Sequence, residues 1–199
     1  IGTDGGGLNR LRDGDVTTFG RAEGLPSDAV FSVFEDRAGT VWIGTNGQGL
    51  VRLRGGEVRS FTVKDGLAHD VVGALCQDPA GNLWIGTDGG GLTRVRKKVF
   101  NVVGPTQGLA VYSACEAAPG SLWIGFNAVG PGARGAGLLR DGRLQSFGPA
   151  EGLMNSSVRA VFADRQQRVW VGTWAGLFEQ EADRFRAPPG APLLHPVVQ

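Results

Sequence analysis

Charge of one sign is the first thing this chain lacks. Twenty basic residues stand against nineteen acidic ones, a formal net charge of +1, with no long run of either sign. Nucleic acid and direct membrane contact both call for a basic face, so neither partner is expected. Long apolar runs are missing too, and nothing approaches the ~20 residues of a membrane helix. The two cysteines and two histidines have no metal-ligand spacing, so neither a metal nor a cofactor is expected. Cys76 and Cys115 each stand eight residues before a tryptophan, where other units have Phe34 and Phe162, so they read as small buried hydrophobes. No Ser-His-Asp arrangement or Walker motif can be argued from linear spacing, and no catalytic residue is assigned.

What is plentiful is glycine, at 34 residues, far above the usual share of ~7%. The glycines lack collagen's spacing and fall between alternating apolar runs, where they mark turns. One phrase organises them. Leu83-Trp84-Ile85-Gly86-Thr87-Asp88-Gly89-Gly90-Gly91-Leu92 is nearly repeated from Val41 to Leu50, and begins again at Leu122 and Val169. The corresponding tryptophans stand at 42, 84, 123 and 170, a period of 42, 39 and then 47 residues. Such a period means an array of one supersecondary unit.

Each unit reads as four short strands. An apolar run such as Val30-Phe31-Ser32-Val33-Phe34 is followed by a tight turn, Asp36-Arg37-Ala38-Gly39, and then by the tryptophan strand. A Gly-rich loop, a third strand (Leu50 to Arg54), a second turn and a fourth strand (Val58 to Phe61) complete the unit. Four hairpin-linked strands at this period are the signature of a β-propeller blade, which makes the chain all-β. About four and a half blades are expected. Residues 1–29 form the last strands of a first blade, residues 30–71, 72–110, 111–157 and 158–196 form four blades, and 197–199 starts or closes another. The small residues Ser32, Ala74, Ser113 and Ala160, ten before each tryptophan, fit an inner strand crowded near a central axis. The tryptophans read as wedges between blades. Asp36, Asp78 and Asp164 recur six before a tryptophan, and that repetition favours turn capping over catalysis.

The full unit, Asp65-Gly66-Leu67 through Val72, Asp78, Gly81 and Trp84-Ile85-Gly86-Thr87 to Gly91-Leu92, resembles the two-component regulator propeller repeat. The third and fourth units depart from it, with Ala117 for the turn aspartate and Gln167 for the turn glycine. The resemblance implies a seven-bladed ring in the periplasmic sensor region of a bacterial signalling protein. It also implies downstream histidine kinase or cyclase domains in the same chain, room for a homodimer formed through the parent protein, and saccharide ligands in several members. Seven blades at this period need about 290 residues, whereas 199 are present. The expectation is therefore a fragment, the alternative being a five-bladed ring closed by Val197-Val198-Gln199.

Blade topology sorts the loops. The linkers and the Gly-rich loops emerge on one face and the tight turns on the other, so binding is expected where loops vary, on the linker face. The candidate ligand-binding residues are Asp28, Asn46, His69, Asp70, Asp88, Asn127, Arg134, Asn155 and Trp174. The expected function is non-catalytic sensing of a small molecule such as a saccharide. The alternatives are a propeller enzyme, either a streptogramin-type lyase or a glycosidase, and a pure interaction scaffold.

Overall fold

In a computed structural model the chain is all-β, and the structure describes residues 1–96, 99–128, 133–154 and 157–189. A two-stranded sheet opens the array, β1 (Leu8–Arg12) and β2 (Asp15–Phe19). Four antiparallel four-stranded sheets follow, each in simple sequence order. The first blade holds β3 (Val30–Glu35), β4 (Val41–Thr45), β5 (Leu50–Arg54) and β6 (Glu57–Phe61). The second holds β7 (Val72–Gln77), β8 (Leu83–Thr87), β9 (Gly91–Arg96) and β10 (Val99–Val102). In the third are β11 (Ala110–Ala118), β12 (Ser121–Asn127), β13 (Ala136–Arg140) and β14 (Arg143–Phe147). The fourth consists of β15 (Val158–Ala163), β16 (Val169–Thr173), β17 (Gly176–Glu181) and β18 (Arg184–Arg186). Meandering sheets stacked side by side make a partial propeller. The proposed closing strand at Val197-Val198-Gln199 lies outside the described residues.

No single core runs through the molecule. Four buried clusters each straddle one seam between neighbouring sheets: Leu50, Leu67, Val72, Leu83 and Ile85 join the first blade to the second, for example. Stability is therefore a sum of nearest-neighbour interfaces, as in other repeat arrays.

The glycine of the Trp-x-Gly phrase explains how closely the blades approach. A Cβ placed on Gly44 would lie 2.6 Å from Val72 O and 2.7 Å from Val72 Cγ1 of the next blade. The same substitution at Gly86 meets Val111 Cγ1 at 2.6 Å, and at Gly125 it meets Val158 Cγ1 at 2.5 Å. Each glycine is thus a socket for the first-strand valine of its successor. Within the blade the glycine also pairs with Ser32, Ala74, Ser113 or Ala160. The small residue is needed to sit opposite this glycine, a more local cause than crowding at the axis. The first strand is also less enclosed than its composition implies, since Phe31 is 45% and Phe162 62% exposed.

The tryptophans are wedges only in part. Trp123 is 4% exposed, stacked on Phe147 at 5.2 Å and edge-on to Phe185 at 6.1 Å. Trp42, Trp84 and Trp170 are half-buried, and their indole N–H groups donate to the turn aspartates. Trp42 Nε1 reaches Asp36 Oδ2 at 2.9 Å, Trp84 reaches Asp78 at 3.0 Å and Trp170 reaches Asp164 at 3.1 Å. The same carboxylates accept backbone N–H groups across the turn, as from Ala38 and Thr40 to Asp36. Where Ala117 replaces the aspartate, β11 runs on to nine residues and carries a second register shift before the turn at Gly120. Gln167, in place of the turn glycine, takes that position with φ +63°.

Burial raises the Asp78 carboxyl, yet the hydrogen bonds from Asn82, Trp84 and the backbone outweigh it and hold the group below its ordinary value. A depressed folded pKa gives stability that is present above the unfolded value of ~3.9 and lost as pH falls through the folded one. Asp78→Asn is therefore expected to be less stable than the parent at pH 7. That gap closes as pH drops below about 4, as urea midpoints at stepped pH would show. A gap that stays constant down to pH 2 would refute the carboxylate's role.

Cys76 and Cys115 are free thiols. Burial, with neighbouring Cys115, Glu116 and Asp78, pushes Cys76 up to about 12, and burial takes Cys115 up to about 11.

Candidate functional site

The linker face is built from short 3-10 turns. In the turns at Arg21–Glu23, Val63–Asp65 and Pro149–Glu151, the last carboxylate reaches back to a backbone N–H. Glu23 accepts from Gly20 N at 2.6 Å, Asp65 from Thr62 N at 2.9 Å and Glu151 from Gly148 N at 2.7 Å. The next residue, as at Gly66 with φ +98°, is left-handed, a conformation glycine adopts without steric cost. Leu25, Leu67 and Leu153 then drop into the seams, all buried.

Four of the sequence-derived candidates turn out to have side chains occupied in shaping this face. Asp28 Oδ1 accepts from Arg21 N at 2.8 Å, and Asp70 Oδ1 from Val63 N at 2.9 Å. His69 Nδ1 accepts from Val71 N at 3.1 Å, the role that Ser27 Oγ plays one blade earlier. Asn46 and Asp88 sit in the Gly-rich loops and donate their backbone N–H to Ala29 O and Val71 O. Asn127 ends β12 and bridges to Ser157. Arg134 donates to Ser146 O at 2.6 Å and pairs with Glu151 at 3.6 Å. Asn155 lies outside the described residues, as do residues 129–132 of the insertion. Trp174 differs from all of these: it follows β16 directly and is 64% exposed.

Trp174 belongs to a feature that strand patterning conceals. In each four-stranded blade the first strand carries a β-bulge directly after its valine. The register slips between Val30 and Ser32, Val72 and Ala74, Val111 and Ser113, and Val158 and Ala160. The bulged residues are Phe31, Gly73, Tyr112 and Arg159. A bulge releases its residue from the ladder and re-aims its side chain. Here the Tyr112 and Arg159 side chains reach back towards the preceding blade. Tyr112 Cδ1 lies 3.5 Å from where a Cβ on Gly73 would be, and the Arg159 guanidinium lies 4.7 Å from the Tyr112 ring centre. Trp174 closes the row, its ring centre 5.2 Å from the same guanidinium. The result is an aromatic–arginine–aromatic stack along the inner rim, at the linker end of the strands. Sequence reasoning named Trp174 and missed Tyr112 and Arg159. The available signal was position eleven before each tryptophan, where Phe, Gly, Tyr and Arg follow one another beside an unchanging valine.

A cavity of about 590 Å³ opens on the opposite, tight-turn face, between the second and third blades. Its lining includes Asp78, Trp84, Arg94 and Glu116. Those groups serve the turns and the seam: Asp78 holds Asn82 and Trp84, Arg94 covers the Trp84 ring, and Glu116 accepts from Gly120 N. Geometry therefore favours the rim over this cavity. Among the described residues no cluster of His, Cys, Asp or Glu could hold a metal ion, and no helix is long and apolar enough to cross a membrane.

Residues 24–47, 66–89 and 152–175 each run from a linker to the loop after a tryptophan strand, and all three match the family model described as two component regulator propeller. Three stretches of the chain thus match the two-component regulator propeller repeat. No curated protein matches the chain significantly in sequence. Among solved structures, the propeller resembles the extracellular domain of BT4673 from B. thetaiotaomicron, named as a hybrid two-component system. The TM-score is 0.70 at 22% identity, over 86% of this chain and 24% of that one. Virginiamycin B lyase from Staphylococcus aureus also reaches a TM-score of 0.70, at 15% identity over 90% of this chain and 61% of the lyase. PorZ of Porphyromonas gingivalis, a surface component of the type-IX secretion system, gives 0.61 at 18% identity over 94% and 31%. At these identities the likeness establishes the propeller fold. The chain spans about a quarter of the length of the sensor domain it matches.

Proposed function

We propose that this propeller is a non-catalytic sensing module of a bacterial two-component or related signalling protein. It works on the extracytoplasmic side and binds a small molecule such as a saccharide on its linker face. The repeat family supports the signalling role, and so do structural neighbours that are extracellular domains of such systems. The observation that carries the binding site is the Tyr112–Arg159–Trp174 stack, an exposed aromatic surface held in place by a bulge and a cation. Ligand seated there touches two blades at once, so occupancy biases their packing and, through it, domains further along the chain.

The resemblance to a lyase favours a second reading, a propeller enzyme. That reading needs an acid and a base converging on one pocket. Among the described residues His69 is hydrogen-bonded only to the Val71 backbone, with no carboxylate to orient it.

Calorimetric titration with a panel of saccharides checks the sensor reading. At least one saccharide binds saturably without turnover, and Trp174→Ala weakens it about tenfold, the upper end of the about 0.5–1.5 kcal/mol of one ring-stacking contact. Binding that is unchanged in Trp174→Ala would move the site off the rim. Turnover of any probe would favour the enzyme.

A further inference from the structure

The rim stack is defined as much by what Arg159 lacks as by what it touches. Seven ion pairs are formed by other arginines of the described residues, among them Arg21–Asp28, Arg52–Glu57, Arg134–Glu151 and Arg168–Asp164. Arg159 forms none with any described carboxylate, although it is exposed. Four other arginines, Arg10, Arg59, Arg94 and Arg168, each lie over one ring of their own sheet. Arg159 lies over two, one from the preceding blade and one from the loop after β16. Two carboxylates of the linker face, Asp28 and Asp70, are tied to backbone N–H groups.

A guanidinium clamped between two rings has its plane fixed while its N–H edge stays available. Its donors then form a rigid fork matched to an oxyanion, and little side-chain freedom remains to be lost on binding. The exposed remainder of Trp174 supplies apolar surface beside that fork for the carbon face of a sugar ring.

We propose that the ligand of this rim is an anionic saccharide whose acidic group is received by Arg159, while Trp174 takes the sugar face. The inference rests on the sensor reading above and narrows it from saccharides in general to those bearing a carboxylate or a sulfate.

The test uses the folded chain and three matched probes: a neutral galactose disaccharide, digalacturonate, and a sulfated galactose disaccharide. Each is titrated by calorimetry and by tryptophan fluorescence at 50 mM and 500 mM salt. An acidic probe is expected to bind about tenfold or more tightly than the neutral one, as suits a charge-assisted bidentate contact. Added salt should weaken it, and the preferred acid tells whether carboxylate or sulfate is the native group. Arg159→Gln should abolish the preference, so that acidic and neutral probes then bind alike, while Arg159→Lys keeps the charge and loses much of the affinity. Equal binding of neutral and acidic probes overturns the proposal and leaves the sensor reading standing. No binding of any probe overturns both. Selectivity is read on the unaltered chain, so a poorly folded variant does not leave the question open.

Discussion

Gly44→Ala lowers the unfolding free energy of the array by about 2–3 kcal/mol, the upper part of the range for overpacking a tight interior. The added methyl would stand 2.6 Å from the Val72 carbonyl oxygen and 2.7 Å from its Cγ1. A side chain can rotate away from such a clash, but a backbone carbonyl in a paired strand moves only with its sheet. The whole seam to the second blade must therefore open to admit one carbon. Gly172 is the control. It occupies the same position of its own blade, yet among the described residues a Cβ there meets nothing nearer than Ala160 Cβ at 3.5 Å. Gly172→Ala should be neutral, or stabilising by about 0.4–1 kcal/mol, because it restricts the unfolded chain without crowding the folded one. Urea unfolding of both variants beside the parent checks the pair. If the two glycines respond alike, the valine socket is not what they are for.

Trp123→Ala costs about 3–5 kcal/mol, the usual penalty for removing a large buried aromatic. This ring is the most enclosed of the repeat tryptophans, at 4% exposure. It holds Phe147 of its own blade and Phe185 of the next in one cluster, and those two rings lie 5.5 Å apart. Removing it leaves a void bounded by both blades. Since each core serves one seam, the damage is local. Hydrogen exchange should rise across β11 to β18 and stay near parental values in β3 to β6. Trp42, half-buried and 6.2 Å from Phe61, should cost less when truncated. Uniform loss of protection along the whole chain would mean that the blades are more tightly coupled than the four separate clusters indicate.

The fold was open to reading because its determinants recur. Tryptophan, glycine and linker leucine return at a steady interval, and each return is a separate vote for the same blade. The Asp36–Trp42 hydrogen bond was half visible: the spacing showed a turn aspartate and gave no hint that the indole N–H was its partner. The rim was the hardest part. A bulge leaves no mark on the alternation of apolar and polar residues, because the strand simply resumes one residue later. Tyr112 and Arg159 are 47 residues apart in the chain and meet only because adjacent blades stack. Asp28, Asp70 and His69 drew attention as polar groups in variable loops, and their backbone hydrogen bonds become apparent only once the linkers are folded.

The bulge has one more consequence, for how such proteins diversify. It takes one residue per blade out of the pairing that holds the sheet and stands it beside a valine and a small residue that the seam cannot do without. Substitution at that position changes the rim while the hydrogen-bonded ladder stays as it was. Phe31, Gly73, Tyr112 and Arg159 are four different fillings of one socket. A duplicated blade brings its socket with it, so new specificities can arise by recombining whole blades, with no need to invent a pocket.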